Sequence, residues 1–201
     1  MVNPISCDAT IARATAFSVR PTHPALALLA VMAAGSLVYI DGAVIAIGLP
    51  AIDRALALQG SESQWVINAY LLPLTALSLL GGAWGDRFGR RRALILGAAI
   101  FGLSSAAASL APTASVLIGL RLLQGIGAAL LVPNSLAILG QMFCGENEAR
   151  AVGLWSATAA IASAIGPVLG GWLIDRGHWR AIFLLTAPVV ALSIERLRAV
   201  R

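Results

Sequence analysis

The 201-residue sequence contains little charge, few aromatic residues and no lysine. Charged residues make up 11% of the chain and aromatic residues 6%, and all fourteen basic residues are arginines. A soluble domain of this size carries roughly a quarter charged residues, so a soluble enzyme and a disordered chain are both excluded. The absence of lysine also excludes a Gly-x-x-x-x-Gly-Lys loop, and with it ATP binding of that type.

Cysteine and histidine are also scarce. Cys7 and Cys144 lie in polar segments without metal-ligand spacing, which excludes a disulfide-stapled secreted domain. His23 and His178 flank apolar segments, where an interfacial role is expected. The net charge of +5 comes without a basic helix face or an aromatic-interleaved strand, so we expect no nucleic-acid partner. We therefore predict no catalytic residue, no metal site and no bound cofactor.

Long apolar segments dominate what is present. Hydrophobic residues make up 59% of the chain, and a bilayer core of about 30 Å needs about 20 apolar residues per spanning helix. The sequence therefore predicts an all-α membrane protein whose six transmembrane helices form one bundle over 24–195 and contact the lipid bilayer. The six predicted spans cover 25–48, 64–84, 93–111, 115–139, 151–174 and 181–194. A polar tail over 1–23 precedes the bundle, and a basic end over 196–201 follows it.

The arginines are distributed unevenly between the loops on the two sides of these spans. One side carries ten of them: Arg13, Arg20, Arg87, Arg90, Arg91, Arg92, Arg150, Arg196, Arg198 and Arg201. The other side carries three, which are Arg54, Arg176 and Arg180. The positive-inside rule then predicts that both termini lie in the cytoplasm. The expected location is the inner membrane of a bacterial cell.

An internal repeat supports the six-span layout. A Gly-Gly pair followed by Asp-Arg and a further Arg occurs over 81–91 and again, 89 positions later, over 170–180. Each copy closes one span and opens the next, on opposite sides of the membrane. Three spans repeated with inverted topology are a known transporter design. The sequence thus predicts a 3+3 inverted repeat.

Two charged residues lie inside predicted spans. Asp41 is about 10 Å from the outer end of the first span and Arg121 about 9 Å from the same end of the fourth, at 1.5 Å per residue. A charge at this depth normally faces a cavity or a partner. Arg121, Gln124, Gly125 and Ala128 share one helical face, which is polar and then small and would suit a water-filled cavity beside close helix packing. The alternative is an ion pair that only holds two helices together.

A carboxylate such as Asp41 can take up and release a proton in this setting. Burial favours the neutral acid, whereas a nearby arginine favours the carboxylate. The fifth span carries small residues four apart and an internal proline, which allow close helix contact and bending. A packing face and a hinge are both compatible with that pattern.

Four segments together resemble the major facilitator superfamily, specifically its 14-helix drug:proton antiporter branch. Residues 82–91 (GAWGDRFGRR) resemble the loop signature between the second and third helices, and 121–129 (RLLQGIGAA) the fourth-helix motif. Residues 162–171 (ASAIGPVLGG) resemble the antiporter motif of the fifth helix, and 40–50 (IDGAVIAIGLP) the first-helix motif of drug exporters. The four occur in the family's order, on the matching spans.

The resemblance implies roles for the matching residues. Asp41 and Arg121, with Gln124, belong to the proton-coupling and cavity region. The cytoplasmic gating loop comprises Gly82, Gly85, Asp86, Arg87, Gly89, Arg90 and Arg91. The bend that distinguishes exporters comprises Gly166, Pro167, Gly170 and Gly171.

The resemblance also implies a function. It is proton-coupled export of a drug-like or amphipathic small molecule by alternating access, with the proton gradient as energy source. This chain would be the N-terminal half, and its partner a second six-helix bundle from a separate chain or a missing C-terminal half. Two alternatives remain open: two copies could form one pathway as a homodimer, or the chain could be a non-transporting membrane fragment of a truncated gene.

Overall fold

A computed structural model of the chain describes residues 24–143 and 145–199. The expectations for the tail 1–23, for Cys144 and for the last two residues lie outside this part. The described residues form seven helices, which we number in chain order. They are α1 Pro24–Leu56, α2 Glu62–Phe88, α3 Arg90–Ala108, α4 Ala114–Met142, α5 Glu146–Asp175, α6 Ala181–Leu184 and α7 Ala187–Ala199.

Five helices of the described part, α1 to α5, are long and apolar enough to cross a membrane. The sixth predicted span is divided instead into α6 and α7, which are separated by Leu185 and Thr186. Pro188 explains the break, because it has no N–H for the carbonyl of Leu184 and its ring crowds that carbonyl. The structure therefore confirms five apolar spans of the six, and a crossing by 181–194 stays a prediction.

Side chains from α3 and from the break itself satisfy the polar groups between α6 and α7. The hydroxyl of Ser105 on α3 donates to the carbonyl oxygen of Phe183 at 2.7 Å and lies 3.1 Å from the hydroxyl of Thr186. The Thr186 hydroxyl donates to the same carbonyl at 3.0 Å. These hydrogen bonds join α3 to the break between α6 and α7.

The first span is predicted to end at 48, before Pro50, whereas α1 continues to Leu56. A proline lacks the N–H for the carbonyl four residues back and crowds that carbonyl, and packing of the following turn compensates here. Ile52 is fully buried, and the guanidinium Nε of Arg54 donates to the carbonyl oxygen of Pro50 at 3.1 Å. Helices α2, α4 and α5 likewise continue through internal prolines, as membrane helices commonly do.

The bundle is organised around α1 and α4, which contact each other in its interior. Helix α2 packs along α4 and α5 packs along α1, while α3 packs on α4 and α7 on both α1 and α3. The α2–α4 and α1–α5 contacts are more extensive than the direct contact between α1 and α4. The bundle can therefore be described as two closely packed helix pairs that meet at an α1–α4 seam.

Small residues bring the helices of each pair close together. Gly125 on α4 faces the backbone carbonyl of Tyr70 and the ring of Pro73 on α2. On the other pair, Gly166 of α5 faces Ala43 of α1. Helix association within a bilayer depends on this kind of close backbone approach, since lipid offers no hydrophobic driving force between helices.

We expect Gly125→Ala to lower the thermal stability of the protein in detergent, whereas Gly119→Ala on the same helix should not. A Cβ on Gly125 would collide with the α2 backbone, and overpacking of this kind costs about 1–3 kcal/mol. Gly119 has open space around it, so alanine there gains up to about 1 kcal/mol of helix propensity. Melting of both purified variants by fluorescence-detected size exclusion would show the difference; equal melting temperatures would contradict the packing described here.

Candidate functional site

The two charges predicted inside spans form a buried ion pair at the α1–α4 seam. Arg121 Nη1 lies 2.5 Å from Asp41 Oδ2, and the two side chains are 1% and 3% exposed. Both residues are in the interior of their helices, where the backbone groups are already hydrogen-bonded. Each charge therefore depends on its partner for compensation.

Gln124 completes a triangle of polar side chains. Its amide nitrogen donates to Asp41 Oδ1 at 2.8 Å, and its amide oxygen accepts from Arg121 Nη1 at 2.9 Å. Gln124 is fully buried and follows Arg121 by nearly one helical turn, which places both on the same face of α4. Both carboxylate oxygens of Asp41 are therefore occupied by donors from α4.

Helix α2 supplies two contacts to Arg121 that the sequence motifs did not indicate. The Nε of Arg121 donates to the carbonyl oxygen of Val66 at 3.1 Å. The guanidinium carbon lies 4.3 Å from the ring centroid of Tyr70. Val66 and Tyr70 are four residues apart and thus on one face of α2, which is a signal that could have identified them as a pair.

The fourth-helix face shows the close helix packing that the sequence indicates, and a water-filled cavity beside it stays a prediction. Gln124, Gly125 and Ala128 are buried against protein, with Gly125 packed on α2. Shallow depressions of about 290 and 340 Å³ lie on the described surface beside Tyr39 and Trp155 and beside Arg54 and Trp179. Neither is lined by the ion pair. Asp41 is therefore enclosed by protein in this conformation.

The predicted gating loop forms the connection between α2 and α3. Gly89 has a φ of +104°, a conformation that favours glycine, and it separates the two helices. Asp86 and Arg90 form an ion pair of 2.6 Å across this turn. The Arg87 guanidinium lies over the ring of Phe88, and Arg91 is in the first turn of α3. The charges of the loop thus lie at one end of the bundle.

Glycines of the same loop region fix the end of α2 against α4. Gly85 faces the side-chain amide of Asn134, which is fully buried. The Asn134 amide nitrogen donates to the carbonyl oxygen of Gly81 at 3.0 Å. Gly82 lies next to Pro133 without a close contact. Asn134 is a second residue that the motifs did not indicate.

The predicted bend residues lie on α5, which is one continuous helix through Pro167. Gly166 and Gly170 face Ala43 and Val44 of α1, two and three residues after Asp41, while Gly171 faces open space. The structure thus brings two of the four residues against the helix that carries the buried carboxylate. Within the described residues no group of three metal-ligating side chains occurs.

Comparison with known families agrees with this architecture. The model of the Major Facilitator Superfamily matches residues 31–197, which include all of the site described above. The match therefore covers the α1–α4 seam, the gating loop and the glycines of α5.

Curated relatives with similar sequences are resistance and efflux proteins. The methyl viologen resistance protein SmvA of Salmonella typhimurium is 40% identical over 154 residues, which are 76% of this chain and 31% of that protein. The multidrug efflux pump LfrA of Mycolicibacterium smegmatis is 36% identical over 171 residues, 85% of this chain and 34% of that pump. The chain spans about a third of the length of these relatives.

Solved structures share the fold at low sequence identity. A bacterial homologue of the lysosomal transporter Spinster, in an inward-facing conformation, has a TM-score of 0.76 at 20% identity over 89% of this chain and 43% of that one. The proton:xylose symporter XylE has a TM-score of 0.77 at 18% identity over 88% of this chain and 44% of that one. The long apolar helices, the family match and these folds together describe an integral, multi-pass membrane protein. The chain belongs to the Major Facilitator Superfamily, a family of transporters rather than of enzymes.

Proposed function

We propose that these residues form the N-terminal bundle of a transporter that exports drug-like or amphipathic small molecules in exchange for protons. The observation that carries the proposal is the buried triangle of Asp41, Arg121 and Gln124 at the α1–α4 seam. The relatives are named as a methyl viologen resistance protein and a multidrug efflux pump, which supports drug-like or amphipathic small molecules as the substrates. The energy source is then the proton gradient, and no bound cofactor is required.

A purely structural ion pair explains the triangle less well. Two buried charges are weak evidence for stability, because apolar residues of similar volume often serve equally well or better. Holding α1 to α4 therefore does not require an aspartate and an arginine inside a membrane. A group that binds and releases protons does require an ionisable side chain, and Asp41 is the only carboxylate in the interior of the described spans.

The mechanism begins with protonation of Asp41. A proton from water adds to one carboxylate oxygen, which removes the charge that Arg121 neutralises and weakens the contact across the seam. Because α5 packs on α1 and α2 packs on α4 through small residues, a shift at the seam moves both helix pairs. In an alternating-access cycle that movement would open or close the route to the substrate.

The internal repeat and the orientation belong to the same proposal. The packing of α2 on α4 matches that of α5 on α1, as three helices repeated with inverted topology require. In the second copy, Arg180 donates to the carbonyl oxygens of Ser109 and Ala111 at the end of α3, both at 2.9 Å. The loop that contains Asp86 then lies in the cytoplasm of a bacterial cell, as do both termini, and gates the inner side.

A second six-helix bundle completes the pathway in this proposal. Leu79 on α2 and Val168 on α5 are 84% and 71% exposed, so these helices offer apolar surface to lipid or to a partner. The relatives are about three times as long as the matched segment, which supports a partner beyond these residues.

We expect export when this chain is fused in frame to the unmatched remainder of the M. smegmatis pump, and none from the chain alone. The readout is efflux of ethidium from cells that lack their own exporters, at equal membrane abundance. Export by the chain alone, together with a dimer in native mass spectrometry, would replace the second bundle by a second copy. A fusion that inserts correctly and exports nothing of a broad set of amphipathic cations would contradict the proposal.

In the exporting form, we expect Asp41→Asn and Arg121→Ala to reduce proton-coupled efflux to background. The asparagine has nearly the same size as aspartate but cannot carry the proton, whereas removing Arg121 leaves a buried carboxylate unpaired, at a cost of about 3–5 kcal/mol. Proton release on substrate addition to inverted vesicles, followed with a pH-sensitive dye, measures coupling directly.

A matched control is the exposed pair of Glu146 and Arg150, which lie 2.7 Å apart with side chains 80% and 72% exposed. Exposed pairs of this kind contribute little to stability, so Glu146→Gln and Arg150→Ala should leave efflux unchanged. If the Asp41→Asn variant still exchanged protons for substrate at normal abundance, Asp41 would not be the coupling residue.

A further inference from the structure

The ring of Tyr70 lies under the buried arginine, at the junction of four helices. Its hydroxyl donates to the carbonyl oxygen of Val38 on α1 at 3.3 Å. Its ring meets that of Phe101 on α3 nearly edge-on, at 75° and 6.5 Å between centroids. Tyr70 is only 2% exposed. These contacts fix the ring plane, so its face stays directed at the Arg121 guanidinium.

We propose that Tyr70 is a positioning residue whose ring face retains the Arg121 cation when Asp41 is protonated. The inference rests on the proposed protonation of Asp41 and concerns the state that follows it. Neutral Asp41 no longer compensates the guanidinium, which is then a buried cation in a membrane. The contacts that remain are the Tyr70 ring, the Gln124 amide oxygen and the Val66 carbonyl oxygen.

Of these three contacts of the Arg121 guanidinium, the one with the Tyr70 ring does not depend on the charge of Asp41. The face of an aromatic ring is electron-rich and attracts a cation, more strongly when water is excluded. The Gln124 amide also binds Asp41, so its orientation depends on the carboxylate. The Tyr70 ring is held by α1 and α3 instead. In the ion-paired state the electron-rich ring attracts the guanidinium but repels the carboxylate charge beside it, and protonation of Asp41 removes only the repulsion. The ring therefore lowers the energy of the protonated state more than that of the ion-paired state.

Few other ionisable groups can influence Asp41 from the helices packed around it. On α1 itself the nearest ionisable residue is Tyr39. On α2 the nearest ionisable residues are Tyr70 and, at the outer end of the helix, Glu62, and on α4 the nearest is Arg121. Helix α5 has no ionisable side chain between positions 151 and 174, and α6 has none at all. The first ionisable side chain of α7 is Glu195. Arg121 and Tyr70 are thus the two ionisable groups that meet at the triangle.

The test is a pH titration of the Asp41 carboxyl by infrared difference spectroscopy on the protein reconstituted in phospholipid vesicles. The carboxylic-acid band is assigned by its loss in the Asp41→Asn variant. We expect Tyr70→Phe to titrate near the natural protein, because the ring face is kept. Tyr70→Leu removes the face and should shift the midpoint to lower pH by roughly half a unit to one unit.

A series of fluorinated phenylalanines at position 70 separates the electrostatic role from packing. Phenylalanine, monofluorophenylalanine and trifluorophenylalanine have nearly the same shape but progressively weaker attraction for a cation. We expect the midpoint to fall stepwise along the series, even if the leucine variant fails to fold. The same series at Phe183 serves as the control, because this ring is also fully buried whereas the Arg121 guanidinium lies over Tyr70. The fluorinated residues there should leave the titration midpoint of Asp41 unchanged.

The outcomes are distinct from those that test export. A midpoint that does not change along the fluorinated series would overturn the role of Tyr70. Equal shifts for the series at Phe183 would also overturn it, since core packing alone would then explain the effect. A stepwise shift at position 70 in a protein whose efflux is independent of Asp41 would establish the role of Tyr70 and contradict the coupling role of Asp41.

Discussion

The contact between Asp41 and Arg121 connects two helix pairs, α1–α5 and α2–α4. Within each pair, close backbone packing holds the two helices together. Helix α5 lies on α1 at Gly166, and α2 lies on α4 at Gly125, so the helices of each pair leave little room for sliding. At the seam between the pairs, the polar contact is a charge interaction. One proton can remove a charge interaction, whereas it does not affect glycine packing. In the proposed mechanism, the seam is therefore the place where protonation of a single group changes the shape of the bundle.

The same packing explains why irregularities of the helices collect where neighbouring elements can compensate for them. Pro50 is followed by the fully buried Ile52, and α1 continues. The segment before Pro188 instead breaks, and the hydroxyl of Ser105 on α3 donates to the carbonyl oxygen of Phe183 in the last turn before the break. In hydrocarbon an unsatisfied backbone group costs several kcal/mol. At both prolines the irregularity is thus accompanied by a specific partner or by packing.

Much of the fold could be predicted from the sequence, because membrane helices are determined by length and polarity. The five long apolar helices and the equal depth of Asp41 and Arg121 both follow from counting residues along the chain. The extension of α1 past Pro50 and the division of the last segment did not follow, since both depend on contacts with other helices. The partners of Gln124 did not follow either, because helical periodicity is equally compatible with a cavity and with close packing.

The sequence by itself determined the class of protein, its apolar helices, the motifs of its family and the two charges that a membrane tolerates only with compensation. The tertiary structure decided which groups provide that compensation. It turned Gln124 toward Asp41, brought the Val66 carbonyl to Arg121 and placed the Tyr70 ring beneath the guanidinium. Helical periodicity defines which residues share a face, but the neighbour of that face is set by how the helices pack, which depends on residues far apart in the chain.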